Sequence, residues 1–224
     1  MKALRLLKIP VILSLFFVLI SATTDDSKET ERVHSASNVL RDFGKLHETI
    51  SHNLLSECEG VVIIPKLINA GLIVGGKRGR GVAMVKMDDG KWSDPVFVTM
   101  TGGSVGAQIG VQSVDLVLVF RHKGVLAKVK NGDFTVGGDA SAAAGPLGRS
   151  TSANTDYKLD AEIYSYSRSR GLFAGVSING SNLAIDKTAN ANFYGDDLTS
   201  KEIFNSAKSD KEAVKTLKAS LTAL

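Results

Sequence analysis

The sequence predicts an α+β fold, an antiparallel glycine-rich β barrel or sandwich flanked by an N-terminal amphipathic helix and C-terminal helices. Three observations lead there. Apolar residues recur at helical spacing between Val33 and Leu54. From Gly60 the period changes to short apolar runs set among many of the chain's 22 glycines. Near the C-terminus Val214, Leu217, Leu221 and Leu224 return to helical spacing.

Residues 1–22 read as an export signal. Lys2, Arg5 and Lys8 form a basic start, an apolar run covers 9–20, and Ser21 and Ala22 are small residues suited to cleavage. Residues 23–31 are polar and read as a flexible leader. Without Lys2, Arg5 and Lys8 the 27 basic residues fall to 24 against 23 acidic ones, a net of +1. The high pI is therefore partly a property of the signal, and whole-protein attraction to nucleic acid is not expected. Cys58 is the only cysteine, so no intramolecular disulfide can form. Glu57 and Glu59 flank it and disfavour a reactive thiolate.

Val33, Ala36, Val39, Leu40, Phe43, Leu46, Ile50 and Leu54 fall on one half of a helical wheel. They predict one helix of about six turns that covers a sheet. Strands are expected at 61–64, closed by Pro65, and at 72–74, 82–85, 96–100, 105–111 and 114–120. The last two would be joined at Gln112-Ser113. Asp89-Gly90 signals a hairpin. Asn131-Gly132 turns the chain into 134–136, and 125–129 reads as a helical turn or two. Segments 157–166 and 172–178 pair around Arg170-Gly171, and 183–185 adds an edge strand. Strands this short favour antiparallel pairing, and glycines inside them point to bulges or tight curvature.

Basic residues gather at glycine-framed turns. Lys77, Arg78 and Arg80 alternate with Gly76, Gly79 and Gly81, which reads either as a phosphate-binding loop or as a solvated hairpin. Arg168 and Arg170 share a strand face with Tyr164 and Tyr166, and Arg149 sits in another turn. Arg168 could equally hold an acidic residue in an ion pair. Asp115, inside a strand, reads as a structural partner for an arginine. Lys208, Lys211, Lys215 and Lys218 line one edge of the C-terminal leucine stripe, residues 208–224. That edge reads either as a membrane contact or as the solvated side of a packed helix.

Several chemistries are disfavoured. Gly71 to Lys77 matches the phosphate-loop pattern, but Arg78 replaces the Ser or Thr that would hold magnesium, and no helix is expected to follow. No nucleotide is expected. The histidines lack metal-ligand spacing, residues 186–197 fail the EF-hand pattern, and no nucleophile can be paired with a base. The expectation is no enzyme, no cofactor and no metal.

The runs CEGVVIIP, AGLIVGGKRGRG, TGGSVGAQIGVQSVDLVLVF, GGDASAAAGPLGRS, AEIYSYSRSRGLFAGVSINGS and ANANFYG appear in this order. Together they resemble the SYLF (Ysc84-like, DUF500) lipid-binding domain family, across a domain spanning residues 32–207. With the export signal, the chain resembles the stand-alone exported bacterial type. The resemblance implies non-enzymatic binding of anionic membrane phospholipids. Its candidate contacts are Lys77, Arg78, Arg80, Arg149, Arg168 and Arg170, with the C-terminal lysines as membrane-contact candidates. It also implies a periplasmic or secreted location, peripheral on a membrane. The alternative is an envelope structural or protein-interaction module.

Overall fold

The computed structural model describes residues 26–46, 50–71, 74–105, 110–122, 125, 128–129, 134–145, 161–169, 172–173, 176–195, 198–206 and 208–224. Helices α1 (Asp26–Gly44) and α2 (His52–Glu57) precede strands β1 (Gly60–Gly71), β2 (Val74–Val85), β3 (Val96–Val105) and β4 (Gly110–Phe120). Then come β5 (Phe134–Val136), β6 (Ala142–Ala144), β7 (Ile163–Ser169), β8 (Leu172–Phe173) and β9 (Ser181–Ile185). Helices α3 (Lys187–Tyr194), α4 (Ser200–Phe204) and α5 (Glu212–Thr222) follow. The sheet runs β5-β9-β3-β2-β1-β4-β7-β6, with β8 on β7. All pairs are antiparallel except β6 with β7. The two edges approach each other through the turn that joins β5 to β6, where Val136 bridges Ala140. The result is a nearly closed barrel with helices at both chain ends, an α+β fold.

Alternation along the strands builds two cores, one on each face of the sheet. Val62, Ile64, Leu67, Ala83, Met100, Leu116, Leu118 and Phe134 fill the barrel. Val61, Ile63, Val82, Met84, Phe97, Val117 and Tyr166 face outward and are covered by α1, α3 and α5. The α1 stripe of Val33, Ala36, Leu40 and Phe43 lies against them, fully buried. At the start of α1, Arg32 bonds Asp186 at 3.1 Å and stacks 5.2 Å from the Phe97 ring centroid. That fixes the helix across β3.

The single helix expected over 33–54 is two helices. The first ends at Gly44, where a glycine disfavours helix, and Ser51, with non-helical backbone, immediately precedes the second. Ile50 and Leu54 still enter the same core, so the apolar period continues across a break that it could not reveal. Helix α1 also starts at Asp26, inside the stretch expected as a flexible leader.

The strands are longer than their apolar runs. β1 continues through Pro65 because the register shifts there on both sides, a bulge that accommodates the missing N–H. Lys66 takes φ 54° at this bulge, and its N–H donates to Asp115 Oδ1 at 3.1 Å. The turn expected at Gln112-Ser113 does not exist. Both residues pair in β4, opposite Asn69 and Ile68. The strand expected at 105–111 instead belongs to the ends of β3 and β4, with 106–109 outside the described residues. Leu72 and Ile73 also lie outside them. β9 is not an edge strand but sits between β5 and β3. Gly81 marks a close approach, because a Cβ there would come 1.9 Å from Ile63 O. The Asp89-Gly90 hairpin is present, with Gly90 at φ 79°. Ser169 pairs with Leu172 around 170–171.

Candidate functional site

Residues 77–81 are not a loop. They lie inside β2, so alternation separates residues that a loop would have presented together. Arg78 and Arg80 point outward and are exposed, whereas Lys77 points into the barrel and is only 5% exposed. Lys77 Nζ donates to Ser177 O at 2.5 Å. Burial pushes its pKa down.

Arg168 faces outward too, but it is already engaged. Its Nη2 donates to Asp115 at 2.8 Å on the facing strand and to Asp42 of α1 at 2.9 Å. Its guanidinium carbon lies 5.9 Å from the Phe43 ring centroid. Burial opposes the charge, but the hydrogen bonds that Arg168 donates to both carboxylates outweigh it and the pKa is pushed up. Asp115 pairs with Arg168 in register, the structural arginine partner expected from its place within a strand. Arg149 and Arg170 lie outside the described residues.

The C-terminal lysines are not beside Arg78 and Arg80. Val214, Leu217 and Leu221 are buried in the outer core, so the leucine stripe faces the protein. Lys218 Nζ bonds the buried Asp94 Oδ1 at 2.6 Å. Lys211 donates to Phe193 O at 3.0 Å and caps the ring of that residue at 3.7 Å. Lys215 and Lys208 are exposed, but Lys208 precedes α5 and its backbone N–H binds Asp94. This cluster adjoins the β2–β3 hairpin. Arg78 is seven residues from the hairpin end of β2, about 23 Å along a strand.

Among the described residues the helices cover only one end of the outer face. Beyond them the four longest strands continue with an uncovered outer surface. Ile68 is 41%, Val74 73% and Val111 75% exposed there. Arg78 pairs in register with both Ile68 and Thr101, and Arg80 with Thr99. Lys66, at the bulge, adds another exposed cation. Among the described residues no carboxylate pairs with Arg78, Arg80 or Lys66. Asp115, the acid next to this surface, is held by Arg168 and the Lys66 N–H. The open end is thus an aliphatic margin beside unpaired cations. The aliphatic residues were missed in the sequence because their exposure follows from strands outrunning their helical cover.

The described residues contain no group of three or more His, Cys, Asp or Glu that could hold a metal. Cys58 Sγ donates to Leu55 O at 3.1 Å, and burial pushes the thiol pKa up to about 11, with Lys86 opposing and Glu59 reinforcing the shift. It is a packed residue rather than a nucleophile. Asp186 caps α3 by accepting from Ala189 N and pairs with Arg32. No described helix is long and apolar enough to cross a membrane.

Residues 101–224 match the family described as "Ysc84: Las17-binding protein actin regulator". SH3 domain-containing YSC84-like protein 1 of Homo sapiens is 34% identical over 175 residues, covering 75% of this chain and 51% of the relative. Protein YSC84 of Saccharomyces cerevisiae is 35% identical over 179 residues, covering 76% and 38%. LAS seventeen-binding protein 3 of the same species is 34% identical over 179 residues, covering 76% and 39%. The chain spans about half the length of the curated animal relatives it matches, and less of the yeast proteins.

Proposed function

Because the chain belongs to the Ysc84 family, we propose that it is a non-enzymatic module whose uncovered sheet end binds anionic membrane phospholipid. One observation carries this reading. Ile68, Val74 and Val111 are exposed beside Arg78 and Arg80, on a surface where no described acid neutralises the arginines. Aliphatic side chains gain by leaving water for the acyl boundary. Guanidinium groups hydrogen-bond phosphate, and each basic residue near an anionic leaflet contributes about 1 kcal/mol. Arg168 and Lys218 belong to the protein's internal ion pairs in this reading, and Arg78 and Arg80 to the lipid. The basic start and apolar run of residues 1–22 support an exported location, periplasmic or secreted and peripheral on the membrane.

Sedimentation with phosphatidylglycerol and phosphatidylcholine vesicles at two salt concentrations tests it. Binding to the anionic vesicles is expected to fall with salt. Arg78→Ala with Arg80→Ala should weaken it about 30-fold, from about 2 kcal/mol for two arginines. Equal binding at both salt concentrations, or undiminished binding by the double variant, would refute the reading.

A second reading rests on the family description, which names Las17 binding and actin regulation. The same exposed face could dock a protein. Stoichiometric capture of one protein by the wild-type chain and not by the double variant, without vesicle binding, would replace lipid by that partner.

A further inference from the structure

The interior of the barrel changes character at the same end. One register row runs through Gln112, Asn69, Lys77, Gly102 and Ser181, on five successive strands β4, β1, β2, β3 and β9. Two residues further along each strand the next row holds Val114, Leu67, Gly79, Met100 and Leu183, of which all but the glycine belong to the barrel core. The first row therefore faces inward as a polar belt above an apolar floor.

Two members of the belt are poorly satisfied. Lys77 is buried, yet among the described residues its ammonium meets only Ser177 O and no carboxylate. Two of its three N–H donors remain unspent. Ser181 is fully buried, and its Oγ has no hydrogen-bond partner among the described residues. Gly102 lies between them, and a Cβ there would stand 2.9 Å from Ser181 Oγ. Asn69 and Gln112 continue the belt with amide donors, both half-buried. A buried charge without a counter-charge costs stability, and so does an orphaned hydroxyl. Both deficits are removed if an anion occupies the belt.

We propose that this belt binds one phosphate group, with Lys77 Nζ supplying the charge and Ser181 Oγ a hydrogen bond. Phosphate fits better than carboxylate because the donors of Lys77, Ser181, Asn69 and Gln112 match an anion with several acceptor oxygens. The phosphate can come from a lipid headgroup or from solution. The site does not depend on the outer-face reading, since Lys77 and Arg78 point to opposite sides of β2.

The test is thermal unfolding of the full chain with inorganic phosphate, and separately with dihexanoyl phosphatidic acid below its micelle concentration. At least one probe is expected to raise the wild-type melting temperature. A response to phosphatidic acid alone assigns the phosphate to a lipid, and a response to both assigns the site to the phosphate group itself. Lys77→Met should abolish the response, Ser181→Ala should weaken affinity about tenfold, and Lys215→Ala, on the exposed side of α5, should leave it intact. Without a probe, Lys77→Met should melt above wild type, because it removes an uncompensated buried charge. If that variant does not fold, Lys77→Gln takes its place for the probe response. No shift with either probe, a shift that survives loss of Lys77, or a lower melting point for folded Lys77→Met would overturn the proposal.

Discussion

Lys218→Met is expected to destabilise the protein by about 3 kcal/mol, the low end for breaking a buried ion pair, since Lys218 retains some exposure. Asp94 is buried and accepts three hydrogen bonds, from Lys218 Nζ at 2.6 Å and from the backbone N–H groups of Lys208 and Ser209 at 3.1 and 3.0 Å. The two amides are dipoles, and without the ammonium the carboxylate's charge is unmatched. A chain of this size loses about 3 °C of melting temperature per kcal/mol, so the shift should be about 9 °C. Asp94→Asn in the same background removes the stranded charge and keeps an acceptor for both amides. It should recover more than half the loss, and urea unfolding of the four-member cycle measures this. A change below about 0.5 kcal/mol for Lys218→Met, the range of ordinary surface substitutions, would return Lys218 to the solvated edge of α5. Vesicle binding by the folded variant should equal that of wild type.

Arg168→Met is expected to cost about 2 kcal/mol by the same physics, with a discount for exposure. The guanidinium is largely buried and ties α1 to β4 and β7, but Asp42 is more than a third exposed, so water screens that bond. The larger share comes from Asp115, which would retain only the Lys66 N–H at the bulge. Both carboxylates are served by one nitrogen, Nη2. An ammonium can imitate one nitrogen better than it can imitate a fork. Arg168→Lys should therefore lose less than half as much as Arg168→Met in urea unfolding. Equal losses would mean that the planar group, through its stacking on Phe43, matters more than the charge.

These pairs show where the sequence was readable. Asp115 stood among Val114, Leu116 and Val117, and a carboxylate there needs a cation, so its pairing with an arginine could be read from the chain. The apolar stripe of α1 and the Asp89-Gly90 turn were equally plain, because each depends on neighbours in sequence. The strand ends were hidden, since Gln112 and Ser113 pair as strand without an apolar run to mark them. Lys77 illustrates the subtler failure. Its parity with Gly79 and Gly81 is visible in the sequence, but it acquires meaning only once the segment is known to be strand. The lysine edge of α5 was legible as a pattern, whereas the partners Asp94 and Phe193 come from distant parts of the chain.

The central claim is that the uncovered end of the outer sheet face, and not the helical layer, meets an anionic membrane. An environment-sensitive fluorophore on Val111→Cys, on Val74→Cys or on Lys215→Cys tests this directly, with Cys58 left in place because its buried thiol reacts slowly. On phosphatidylglycerol vesicles the labels at positions 74 and 111 should shift to the blue, and the label at 215 should stay at its value in water. A blue shift at 215, or none at 74 and 111 while the protein sediments with the vesicles, would contradict the account.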